Sequence, residues 1–186
     1  LQEDSLAQSS FSKYCDDGLD FLALENGWKW VMVAGGYSRQ EASAMGHCGN
    51  GAGKMGDVLY SLREPIRKKN KVLWRPHLTF ICNKNGFFGE MKGRANSKPS
   101  PIYNDFVKQL FMHNEFRGVK GGGYLPENNF TLSSLSSKQI AQIVVANPRF
   151  ELSDFLCQHA EVLHDFKDGW DLAFHSNLDE PDRPLA

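Results

Sequence analysis

The run "PHLTFICNKNGFFGEMKG", residues 76–93, constrains the fold more than any other part of the chain. Two stretches of apolar and polar residues in alternation flank Asn85-Gly86, the dipeptide that best supplies the positive φ angles of a tight β-hairpin. A two-residue loop there sets Ile81 opposite Glu90, Thr79 opposite Lys92 and His77 opposite Arg94. Leu78, Phe80 and Cys82 then share the other face with Phe87 and Met91. The ribbon has one apolar face that must be covered and one polar face that gathers His77, Thr79, Glu90 and Lys92. Only a loop of odd length reverses that assignment, because a slip of one residue flips every side chain.

The flanking segments supply strands and covering helices. "WKWVMVAGGY" and "DVLYSLR" read as strands, the second alternating Val58, Tyr60 and Leu62 against Leu59, Ser61 and Arg63. Residues 5–26 read as one or two short helices stopped by Gly27. Ser38 and Glu41 have capping-box spacing for a helix from Arg39 to near Met45 or Cys48. Ser100-Pro101 opens another helix, with Ile102, Phe106 and Leu110 inward. "SSKQIAQIVVANP" and "LSDFLCQHAEVLHDF" read as two more. The expected fold is α+β: a small antiparallel sheet, a three-stranded meander core plus one more strand, covered by helices. It spans residues 1–167 as a single domain, and residues 168–186 form an extended C-terminal tail.

Charge and cysteine usage narrow the function classes. With 186 residues and 21 basic against 22 acidic side chains, no overall field draws the chain to nucleic acid or anionic lipid, so such binding needs a local patch. Cysteines at 15, 48, 82 and 157 lack the close pairs of a zinc ribbon and the density of a secreted disulfide scaffold. No apolar run reaches membrane-spanning length, and "LQEDSLAQSS" is not a secretory signal. The expectation is a reduced, intracellular protein without membrane, metal or cofactor.

The glycine-rich "GHCGNGAGKMG" invites several chemistries. Gly49 to Gly53 is one residue short of a phosphate loop, and Met55 stands where a hydroxyl must hold magnesium. Gly51, Gly53 and Gly56 fit dinucleotide spacing, but a helix precedes them and a strand follows, the reverse of the required order. Zinc could draw on His47, Cys48, Cys157, His159 and His164, yet Cys157 and His159 fall on different helix faces. "HLT" at 77–79 is half of the paired motif of two-histidine phosphoesterases and has no second copy. A thiol constellation remains, with Cys48 as nucleophile, His77 or His47 as base, and Glu90 or Asn96 orienting. Arg63, Lys92 and Arg94 would bind an anionic substrate beside Asn96 and Tyr124. The helix dipole opposes a thiolate at Cys48, and the competing reading packs that residue as a small apolar group. Lys92, Arg94, Lys98, Arg117 and Lys120 with Tyr103 and Tyr124 could form a rim for single-stranded nucleic acid. The interspersed Glu90, Asp105, Glu115 and Glu127 favour a solvated face instead.

The elements "EASAMGHCGN", "VLYSLRE", "HLTFI" and "GFFGEMKGRANSKP" together resemble the signature region of the PcfJ-like proteins of plasmids and phages. The matching positions are Met45, His47, Cys48, Ser61, Leu62, Arg63, Thr79, Gly93 and Asn96, within residues 41–99. Two departures are a lysine-rich insertion, "PIRKKNKVLWRP", and Gly49-Asn50 where the family more often has an apolar residue and glycine. The resemblance implies a mobile-element protein of the bacterial cytoplasm or the virion, without naming a reaction. Two functions stand as expectations: a cysteine-dependent hydrolase or transferase, or a non-catalytic phage or virion component that adapts nucleic acid or a protein partner. In the second, His47, Arg63, Glu90 and Asn96 form a structural polar network.

Overall fold

The computed structural model describes residues 13–47 and 56–152. Its centre is a six-stranded sheet in chain order, β1 (Leu19–Ala23), β2 (Lys29–Ala34), β3 (Val58–Lys68), β4 (Lys71–Cys82), β5 (Phe87–Lys92) and β6 (Gly118–Val119). The first five strands pair antiparallel and β6 joins β5 in parallel, so the sheet is mixed, and it curls into a half-barrel. This corrects the expected four-stranded antiparallel sheet under a helical cover. Helices are few among the described residues: α1 (Arg39–Met45), α2 (Asn104–Phe111) and α3 (Ser137–Ala146). The further helix expected after Leu152 and the expected tail lie outside the described residues. No helix among the described residues is long and apolar enough to cross a membrane.

Of the helices expected over residues 5–26, residues 5–12 lie outside the described residues, and over Leu19–Ala23 the expectation fails for a local reason. Phe21, Leu22 and Leu24 mimic a helical spacing because the β1–β2 register shifts between Asp20 and Leu22, which interrupts strict alternation. Gly18 turns the chain into that strand at φ +86, where an added Cβ would come within 2.8 Å of the Met32 carbonyl oxygen.

Two further irregularities decide the faces of the central ribbon. The Asn85-Gly86 turn closes through three residues rather than two: Asn83 N–H donates to Phe87 C=O at 2.9 Å, and Gly86 adopts φ +85. The Asn83 side-chain oxygen accepts from the Asn85 and Phe87 amides at 2.9 and 3.1 Å, which stabilises this odd loop. A bulge in β5 then restores the expected faces, since Cys82 pairs Phe88 but Phe80 pairs Met91 and Thr79 pairs Lys92. Phe88, rather than Phe87, becomes the inward ring. The second irregularity lies between β3 and β4, where Leu62 pairs Leu78 but Arg63 pairs Pro76, leaving His77 as the extra residue. Proline has no N–H to give the ladder, and a bulge beside it relieves the mismatch. His77 is thereby separated from Thr79, Glu90 and Lys92, contrary to the expected polar face.

The apolar face carries Trp30, Tyr60, Leu62, Leu78, Phe80, Phe88 and Met91, all buried against Val107, Leu110 and Phe111 of α2 and Ile140 and Ile143 of α3. Burying each such side chain contributes about 1.5–3 kcal/mol of hydrophobic free energy. Ile102, expected inward, is 75% exposed; it sits in the 3-10 turn Pro101–Tyr103 that precedes α2, out of phase with the buried stripe.

Asn147 ties α2 to α3. Fully buried, its Nδ2 lies 2.8–3.0 Å from the carbonyls of Phe111, His113 and Phe116, at and past the end of α2 where helical partners run out. Asn147→Asp keeps the shape but faces those three oxygens with acceptors. A loss of about 2–4 kcal/mol of stability is expected, read by urea denaturation near neutral pH; an unchanged midpoint would contradict the clamp.

Candidate functional site

The polar residues nominated from sequence fall into three separate clusters. The first lies under α1. Ser38 caps this helix by accepting from the Glu41 amide at 3.0 Å, but the Glu41 side chain does not reach back as a capping box requires. It turns inward to the sheet. There its carboxylate accepts from Ser61 Oγ at 2.9 Å and Thr79 Oγ1 at 2.7 Å, and meets Arg63 Nη2 at 3.4 Å. Arg63 is 1% exposed; it also donates to the Asp17 carbonyl at 2.6 Å, to Asp17 Oδ1 at 2.9 Å and to Ser61 Oγ at 3.2 Å. Burial pushes the Glu41 carboxyl above its usual range, against the pull of Arg63 and the two hydroxyls. The Cys15 thiol is pushed up too, by burial first and by Glu41 second. Arg63, expected to bind a substrate anion, is instead engaged by this internal network.

The second cluster gathers at the end of β5. Lys92 is 1% exposed and donates to the Leu125 carbonyl at 2.8 Å and to Asn129 Oδ1. Asn129 also accepts from the Met91 amide at 3.0 Å and donates to the Gly122 carbonyl at 2.7 Å, so one side chain fastens the glycine-rich loop to the sheet. Glu90 lies against Gly123, where any Cβ would fall 2.7 Å from its carboxylate oxygen. His47, just past α1, sits 3.3 Å from the Gly93 carbonyl through Nε2, which must be the protonated nitrogen to donate there. Asn96 adopts φ 56 in the turn after β5, and its carbonyl accepts from Asn128 Nδ2 at 3.1 Å. Arg94 is exposed in the same turn, and Tyr124 is 63% exposed at the loop tip. Thus His47, Glu90, Lys92 and Asn96 share one end of β5, and His77, expected beside Glu90 and Lys92, is not among them.

His77 belongs to a third cluster. Its Nδ1 is 2.9 Å from the Tyr103 hydroxyl, its Nε2 is 2.9 Å from Glu64 Oε2, and its ring packs at a 39° tilt against Trp28, 4.6 Å between centroids. Arg75 Nε also donates to Glu64 at 2.9 Å. Of the two nominated bases, His77 therefore has both nitrogens engaged, away from the β5 end, whereas His47 lies at that end. Cys48, the nominated nucleophile, lies outside the described residues. A cleft of about 440 Å³, bounded by Tyr14–Asp16, α1 and Val72–Trp74, contains none of the nominated residues. Among the described residues no group of three His, Cys, Asp or Glu side chains comes together as a metal site would.

Sequence reasoning missed Asp17, Asn129 and Glu64, and it read Glu41 only as a capping residue and Tyr103 only as part of a rim. A trace existed for Glu41: Ser61, Arg63 and Thr79 alternate onto one buried face, and polar residues there require a partner. No family model, curated protein or solved structure matches the chain.

Arg63→Met is expected to cost about 3–5 kcal/mol, because it strands a buried carboxylate. A carboxyl whose folded pKa is raised is best tolerated below its unfolded value, so the deficit should grow as pH rises above that value, about 4.3; urea titrations from mildly acid to neutral pH check it. The histidines act in the opposite sense. Burial, the largest cause, holds His47 and His77 below their ordinary 6.5, and for His77 it outweighs the Glu64 carboxylate. Protonation then favours the unfolded chain, and stability falls as pH drops through about 6.5 toward the lower folded values. His77→Asn should flatten part of that acid limb in the same denaturation series.

Proposed function

We propose that the chain is a non-catalytic component of a phage or conjugative plasmid, a binding adaptor whose buried charges are architectural. The mobile-element part rests on the PcfJ-like pattern of residues 41–99. The adaptor part rests on one observation: the groups nominated to serve a thiol are committed elsewhere. Arg63 is consumed by Asp17, Glu41 and Ser61, Lys92 by Asn129 and Leu125, and His77 by Tyr103 and Glu64. A cysteine hydrolase needs a base, an orienting group and an anion clamp converging on one reacting atom. Here His77 and Arg63 lie in clusters apart from the β5 end, and of the groups gathered at that end His47 is held by the Gly93 carbonyl and Lys92 by Leu125 and Asn129. Charged groups so satisfied hold loops and helix in register, which suits a scaffold that presents a surface.

Thiol kinetics test this. Cys48 is expected to react with iodoacetamide near neutral pH no faster than free cysteine, read by peptide mass spectrometry. Burial pushes Cys82 up to about 12, so it serves as the slow internal reference. A Cys48 rate tenfold or more above free cysteine would mark an activated thiolate and defeat the adaptor reading.

A further inference from the structure

The β3–β4 hairpin continues well beyond the sheet's buried part. What reads in sequence as a lysine-rich insertion is the outer half of both strands: Ile66 pairs Leu73, Arg67 pairs Val72 and Lys68 pairs Lys71 around a turn at Lys69-Asn70. Every residue from Arg67 to Val72 is exposed. Arg67, Lys68, Lys69 and Lys71 have no ion-pair partner among the described residues, and no acidic residue occurs between Glu64 and Glu90. Lys68 has an aromatic neighbour, the Tyr14 ring 5.1 Å away, but no counter-charge. Lys68 and Lys71 face each other directly, an arrangement that destabilises a β-pair. Lys69 adds a positive φ of 52, which a side chain adopts at some cost. Four cations are thus held together on a ribbon that does not neutralise them internally.

From this we infer that the Arg67–Lys71 ribbon tip is a binding site for duplex nucleic acid, entering a groove and neutralising the phosphates along its walls. The inference names the partner of the adaptor proposed above and rests on that reading. Strand geometry sends Lys68 and Lys71 to one face and Arg67 to the other, with Lys69 and Asn70 at the end. Cations on both faces suit a groove with phosphate on each side, and a two-stranded ribbon fits the major groove of B-DNA, about 12 Å wide. A flat anionic membrane would engage one face only and favours apolar side chains beside the charges, whereas Val72 is the single apolar residue of the exposed stretch. The asparagine at the tip can donate to and accept from base edges. At its base the ribbon is anchored by Arg63, and by Arg75 on Glu64, so the cations are presented on a rigid support.

The test is fluorescence anisotropy of the full chain with a labelled duplex of about 20 base pairs across a salt series. A variant carrying Arg67→Gln, Lys68→Gln, Lys69→Gln and Lys71→Gln should bind at least tenfold more weakly. The slope of log affinity against log salt should fall by about 3–4, near 0.9 for each phosphate that the tip no longer neutralises. Its melting temperature should not fall, since the substitutions relieve repulsion; Lys98→Gln with Lys120→Gln should bind as the unaltered chain does. Unchanged binding by the tip variant, equal affinity for a single strand of the same length, or binding to phosphatidylserine vesicles without duplex binding would each overturn the inference. A fast-reacting Cys48 with tip-dependent duplex binding intact would remove the adaptor reading alone. An inert Cys48 with no duplex binding would remove the groove assignment alone.

Discussion

The buried meeting of Arg63 with Glu41 and Asp17 holds the rest of the molecule in register. It joins the segment before β1, helix α1 and the centre of β3 and β4 at one point, through Asp17, Glu41, Ser61, Arg63 and Thr79. Apolar contacts between the same elements would tolerate sliding, because hydrophobic burial has no direction. A guanidinium with four differently placed acceptor atoms does not. The ionic arrangement adds little net free energy over a hydrocarbon replacement, but removing one member leaves a charge that nothing else can satisfy. The same logic repeats at the end of β5, where Lys92 and Asn129 fasten the glycine-rich loop.

The curl of the sheet depends on its irregularities. An odd turn at Asn83–Phe87 would have turned Met91 and Lys92 to the wrong faces, and the β5 bulge cancels that slip within a few residues. Bulges also increase local twist, which bends a sheet toward closure. The bulge at His77 has a chemical effect, removing an imidazole from the face that carries Thr79 and placing it between Glu64 and Tyr103. Residues that would be co-facial in a regular ladder are thereby distributed among separate clusters.

In the proposed reading, function divides between inside and outside. Internally paired charge makes the platform, and the ribbon at Arg67–Lys71 that it holds out carries four cations without an ion-pair partner among the described residues. The near-zero net charge of the whole chain conceals this, since its acidic residues lie elsewhere in the sequence.

Much of the fold was legible from pattern alone. Period-2 alternation marked β5 and the inner parts of β3 and β4, an apolar run rich in β-branched and aromatic residues marked β2, and Ser38 marked the start of α1, because these are local preferences written into neighbouring residues. The shared face of Thr79 and Lys92 followed from the same alternation. The strand at Leu19–Ala23, the parallel β6 and the half-barrel could not be read this way. Each depends on pairing between distant segments or on a bulge whose position is set by a partner strand. The fate of Arg63, Lys92 and His77 was hidden for the same reason. A residue type announces what it can bond to, but whether it meets a ligand or a neighbour depends on which remote side chains, here Asp17, Asn129 and Tyr103, arrive within hydrogen-bonding distance when the chain closes.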